Sequence, residues 1–119
     1  MSFMSLGTRG EDVAADYLKK RGCQLLAKNF RVKSGEIDLV VMHRGRLCFV
    51  EVKARRSYDV PQEAVSIAKQ RRLTRLARIY LARNFRSEDI PCRFDVVAVE
   101  EKNDHSIAVQ WFQGAFDAV

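Results

Sequence analysis

The chain is poor in the residues that staple, ligate or anchor a protein. Its three cysteines, Cys23, Cys48 and Cys92, are odd in number, far apart and never spaced as Cys-x-x-Cys. That pattern argues against a disulfide framework and a structural zinc site, and it reads as reduced thiols in a cytoplasmic protein. Cys48 lies within an apolar run and reads as core. Only two histidines occur, His43 and His105, both in predicted turns and neither with a second ligand at metal spacing. No apolar run is long enough to span a bilayer. The opening MSFMSLGTRG lacks the basic segment and apolar core of a signal peptide. Repeats, low-complexity segments and linkers are absent as well, so residues 1–119 are expected to form one domain.

What is present is ordinary in bulk and unusual in placement. Apolar residues make up 47% and charged residues 30%, as in a globular chain, but the net charge is +6 and the pI about 9.5. A basic domain of this size suggests a polyanionic partner, with nucleic acid the leading candidate. From Ala64 to Ser87 there is no Asp or Glu. Within that stretch Leu73, Leu76, Ala77, Tyr80 and Leu81 repeat at helical spacing, and Arg71, Arg75 and Arg78 recur on another face, with Lys69 and Arg72 nearby. A solvated helix face normally mixes both signs. The stripe therefore reads as a phosphate-contacting surface, arginine matching phosphate geometry and binding through counterion release.

The periodicities predict a helix over residues 8–21 and a strand over 23–32. Two strands follow within 35–54, then a helix from about 61 to 85 with a break near Ile67, and strands over 93–100 and 106–112. Helix, three strands, helix, two strands argues for an α/β domain with a central mixed five-stranded sheet flanked by helices. Thr8 with Glu11 makes a capping-box signature, and Gly22 supplies the stop. Asp95 interrupts an apolar strand with no partner suggested by spacing and reads as structural. Trp111, Phe112 and Phe116 fit either core packing or a dimer contact.

Residues 35–54, GEIDLVVMHRGRLCFVEVKA, hold the chemistry. A hairpin loop of two residues (Arg44-Gly45) or four (His43 to Arg46) sets Met42 opposite Leu47. Counting back, Asp38 faces Glu51 and Glu36 faces Lys53. Directly opposed carboxylates have Cβ atoms roughly 5 Å apart and repel. A divalent cation offsets that repulsion, since Mg²⁺ is commonly held by one or two carboxylates with waters and a substrate phosphate. A lysine beside them can orient water or stabilise charge on a phosphate. In that register the set reads as a site for phosphodiester hydrolysis. The plainer reading is a solvated strand face with a Glu36–Lys53 ion pair. The flanking Ile37, Leu39, Val40, Val41, Phe49, Val50 and Val52 are too apolar for an exposed face.

Asp38 followed by Glu51-Val52-Lys53 resembles the PD-(D/E)-x-K pattern of the restriction-endonuclease-like superfamily, with spacing similar to archaeal Holliday-junction resolvases. Ile37 stands where the superfamily's name has proline. Over nearly the whole chain, GTRGEDVAADYLKKRG, NFRVKSGEIDLV and FVEVKAR resemble the small bacterial YraN family of predicted endonucleases. The resemblance implies a restriction-endonuclease-like fold and a Mg²⁺- or Mn²⁺-dependent endonuclease acting on DNA, with junction or branched DNA in repair or recombination among its substrates. Asp38, Glu51 and the backbone carbonyl of Val52 would hold the metal, and Lys53 would position the attacking water. It also makes Glu11 a further acidic ligand, against its plainer role in the cap. Glu36 is either support for the site or the ion-pair partner of Lys53. Arg31, Lys33 and Ser34, the mouth residues Arg55 and Arg56, and Lys69, Gln70, Arg71, Arg75 and Arg78 are the expected DNA contacts. Gln70 matches a polar helix position near the active site of related nucleases, although Thr74 breaks the fuller Gln-x-x-x-Tyr pattern. No small-molecule cofactor is called for. A homodimer is open, because one site per chain cuts two strands symmetrically only as a pair. The contrasting readings are a DNA-binding module that keeps the fold without cutting, and a protein–protein adaptor.

Overall fold

A computed structural model describes residues 6–56, 65–85 and 90–118. Its elements are α1 (Leu6–Lys20), β1 (Gln24–Val32), β2 (Gly35–His43), β3 (Arg46–Arg56), α2 (Ile67–Asn84), β4 (Cys92–Glu101) and β5 (Ile107–Phe116). The strands form one five-stranded sheet in sequence order, β1-β2-β3-β4-β5. Among the described strands only β3 and β4 run parallel, and α2 lies in the crossover between them. This is the expected mixed α/β architecture.

The sheet is interior because both faces are apolar. In β3, Leu47 and Phe49 pack toward α2 while Cys48 and Val50 pack toward α1. On the α1 face the core is Ala14, Ala15 and Leu18 against Leu39, Val41, Val97 and Val99. On the α2 face Leu73, Leu76, Ala77, Tyr80 and Leu81 cover Val40, Phe49, Phe94 and Val96. Phe49 sits 5.9 Å from the Tyr80 ring and 5.7 Å from that of Phe94. Among the described residues no helix is long and apolar enough to cross a membrane.

Local chemistry sets the boundaries, and two expectations need correction. The first helix already begins at Leu6, so Thr8 lies inside it and the Thr8–Glu11 pair is not its cap. It closes as anticipated around Gly22, whose φ of 89° is glycine's territory, with the Cys23 amide donating to the Leu18 carbonyl at 3.0 Å. The second helix starts at Ile67, where Ser66 is its N-cap and accepts from the Lys69 amide at 3.2 Å. Residues 61–64 of its expected span lie outside the described residues. Arg55 and Arg56 belong to β3 rather than to a loop, because the parallel ladder continues to Arg56–Glu101.

Candidate active site

The β2–β3 turn is the two-residue Arg44-Gly45, with φ of 51° and 78°, a pair of positive values that suits the twist of a tight hairpin. It places Met42 opposite Leu47, and the ladder runs back to Leu39–Val50. The next positions in that register are Asp38 and Glu51. There the backbone pairing gives way, and the Val52 amide donates instead to Asp38 Oδ2 at 2.8 Å.

The break has a local cause. Ile37 packs into the α2-side core and Leu39 into the α1-side core, although residues two apart in a regular strand share a face. On the neighbouring strand Asn29, between the Lys28–Leu39 and Phe30–Ile37 pairs, has a φ of 53°. Asparagine tolerates that left-handed conformation better than most side chains. Asp38 thus stands where two adjacent strands both lose regularity, and its carboxylate substitutes for a ladder acceptor.

Glu51 is only 7% exposed, and Asp38 is half-buried beside it. Burial first, and the Glu51 charge second, push the Asp38 carboxyl up to about 7, against the opposing effect of the Val52 amide. Glu11 and Glu36 add smaller repulsions in the same direction, so α1 and the start of β2 also bring negative charge here. Helix α1 comes close because residue 10 is glycine: a Cβ there would lie 2.6 Å from Ala54 Cβ. Among the described residues no group of three or more His, Cys, Asp and Glu side chains is arranged to hold a metal ion. The two facing carboxylates do fit a hard divalent cation completed by water, backbone oxygen or phosphate. Val52 enters the site through its amide.

Several predicted contacts have other partners. Glu36 takes a 2.7 Å bond from Arg31 Nε of β1, and the β2–β3 ladder, which ends at Leu39–Val50, does not reach the expected Glu36–Lys53 pair. The two-residue Lys33-Ser34 turn of β1–β2 sets Glu36 opposite Arg31. Lys69, expected on phosphate, lies 2.5 Å from Glu51 Oε1. The Gln70 side-chain Nε2 donates to the Val65 carbonyl at 2.9 Å. Arg55 faces Glu100 at 3.4 Å and Arg56 faces Glu101 at 3.9 Å. Lys33, Ser34, Arg71, Arg75 and Arg78 are exposed, the arginines on the side of α2 away from its core stripe. Lys53 sits beside Glu51 on β3, pairs with Ala98 across the parallel ladder, and opens onto a groove of ≈ 1000 Å³.

A second polar cluster was not foreseen. Asp95 is fully buried and accepts from Arg93 Nε at 2.8 Å, Arg93 Nη2 at 3.0 Å, Trp111 Nε1 at 2.9 Å and the Gly114 amide at 3.0 Å. Arg93 Nη2 also lies 3.1 Å from Nδ1 of His43, which is buried at the end of β2 rather than loose in a turn. Burial, then Arg93 and Arg44, hold the imidazole below its usual pKa. The sequence did carry a signal: Arg93 and Asp95, two apart on one strand, share a face.

Fold and site together define a small α/β protein with an acidic pair, Glu51 buried and Asp38 half-buried, at a hairpin break and a lysine next to it. The chain belongs to the family described as uncharacterised protein family UPF0102, whose profile matches residues 10–99. It is similar to a UPF0102 protein of Symbiobacterium thermophilum, 51% identical over 95% of this chain and 97% of that one. A UPF0102 protein of Syntrophotalea carbinolica is 48% identical over 96% and 93%.

Proposed function

We propose that this protein is a restriction-endonuclease-like, divalent-metal-dependent DNA endonuclease. The observation that carries the reading is Asp38, whose carboxyl is pushed up to about 7 beside the buried Glu51. Two acids held in mutual repulsion at a strand break are costly to the fold and well matched to a cation. Asp38 and Glu51 would hold Mg²⁺ or Mn²⁺, which supplies Lewis-acid stabilisation of charge on phosphate when bound. The Val52 amide orients Asp38. Lys53, next along β3, stabilises developing negative charge or orients a water from the groove side. The exposed Arg71, Arg75 and Arg78, with Lys33 and Ser34 at the β1–β2 turn, give the strand's phosphates a basic track.

The test is cleavage of labelled branched, single-stranded and duplex DNA with Mg²⁺ or Mn²⁺, beside Glu51→Ala and Lys53→Ala. Metal-dependent cutting that drops at least 100-fold in both variants is expected. A second reading, a DNA-binding module that does not cut, draws on Lys69, which already neutralises Glu51. Salt-sensitive binding without cutting, unchanged in both variants, would favour it.

A further inference from the structure

The sheet's α2 face is covered unevenly. Helix α2 packs chiefly over β2, and the part of this face formed by β3, β4 and β5 opens as the groove beside Lys53. The registers arrange its floor in rows. One is Val96–Phe112, which continues to Glu51 on β3, and the next is Lys53–Ala98–Gln110; beyond them lies a third, polar row, Arg55–Glu100–Ala108. Val96 and Ala98 make a low apolar floor. Phe112, 44% exposed, stands on the β5 side, one of three large hydrophobics exposed among the described residues. Three amides, Gln70, Gln110 and Gln113, line it; Lys53 supplies positive charge, while Arg55 lies 3.4 Å from Glu100, which also lines the groove.

This lining combines three chemistries. An aromatic face offers stacking to any base, and amide side chains match the donor and acceptor pattern of base edges. The Lys53 ammonium, two residues from Glu51 on the same face of β3, suits phosphate. Phe112 is two strand spacings across and one row along from Lys53, about 12 Å between backbones, and the length of a lysine side chain brings this within the phosphate-to-base reach of one nucleotide. A base still paired in a duplex presents no free face to Phe112. We propose that the groove binds an unpaired nucleotide of a DNA strand whose phosphate lies at Lys53, so that the substrate class is DNA with unpaired residues rather than continuous duplex. This rests on the nuclease reading and narrows it.

The experiment uses the full chain with two oligonucleotides, one single-stranded and one fully paired, each carrying 2-aminopurine, whose fluorescence is quenched on stacking. The wild type is expected to bind the single strand at least tenfold more tightly than the duplex and to quench its probe. Phe112→Leu keeps an apolar side chain but removes the stacking face. It is expected to lose about tenfold in single-strand affinity, and the quench with it, while duplex binding stays unchanged. Gln110→Ala, at an exposed position, is expected to weaken single-strand binding in the same direction and serves if Phe112→Leu lowers the melting temperature. Equal affinity for both DNAs, with no effect of either variant, overturns the groove proposal and leaves the nuclease reading standing. Failure to bind any DNA or Mn²⁺ overturns both. Self-association of the wild type that Phe112→Leu abolishes, without an effect on DNA, assigns the groove to a second copy and overturns the proposal.

Discussion

Asp38 and Asp95 are both aspartates set into apolar strands of one sheet, and their surroundings are opposite. Asp95 receives four hydrogen bonds, two of them from a guanidinium on its own strand. Asp38 receives one backbone bond and faces a second acid. Burial alone therefore does not mark a functional carboxylate. What marks it is burial without enough donors, because the remaining charge must be met by something the chain itself does not supply. The contrast separates an acid that holds the sheet together from one that strains it.

The strongest way to break the comparison is Asp95→Ala, which leaves the Arg93 guanidinium buried and unpaired and releases Trp111. A loss of about 4 kcal/mol is expected by chemical denaturation, typical of removing one partner of a buried pair. A loss below 1 kcal/mol would mean that Asp95 is no more structural than Asp38.

Asp38→Asn should act in the other direction. The folded protein holds the Asp38 proton up to about pH 7, whereas an unfolded aspartate titrates near 3.9. Its stabilising contribution is therefore complete below pH 4 and is lost as pH rises through 7. The neutral amide avoids that loss and still accepts from Val52. Asp38→Asn is expected to exceed the wild type in stability at pH 8 by roughly 2 kcal/mol, a gap that closes toward pH 5. A gap independent of pH would exclude titration of Asp38 as its source. Lys69→Met sharpens the point with a smaller effect. Removing the ammonium 2.5 Å from Glu51 should cost about 1 kcal/mol at pH 8. Millimolar Mg²⁺ should recover it in a thermal melt; no recovery would argue that the acids do not take the ion.

Alternation and one glycine turn made the sheet legible, including the Met42–Leu47 register that brings Asp38 level with Glu51. The irregularity at Asn29 and Asp38 was not legible, because φ is not written in a residue's polarity. Regular counting therefore carried the β2–β3 ladder on to a Glu36–Lys53 pair, whereas the ladder ends at Leu39–Val50 and Arg31, on β1, takes up Glu36. Lys69 was missed as the partner of Glu51 for a different reason. It comes from a helix, and where a helix begins relative to a sheet depends on packing rather than on local pattern. The Asp95 cluster is tertiary in the same sense, since Trp111 and Gly114 reach it from the adjoining strand, although Arg93 beside it was a readable clue.

The two-residue Arg44-Gly45 turn also bears on the order of events as the chain folds. Asp38 and the Val52 amide are 14 residues apart and close through one short hairpin, an event of microseconds. His43 and Arg93 are 50 residues apart, and their contact awaits the α2 crossover that sets β4 parallel to β3. The repelling acids are thus brought together early, in a hairpin still open to solvent. Burial, the largest cause of the raised Asp38 pKa, comes only when the helices and the later strands close over the sheet, so the strain is felt in full late.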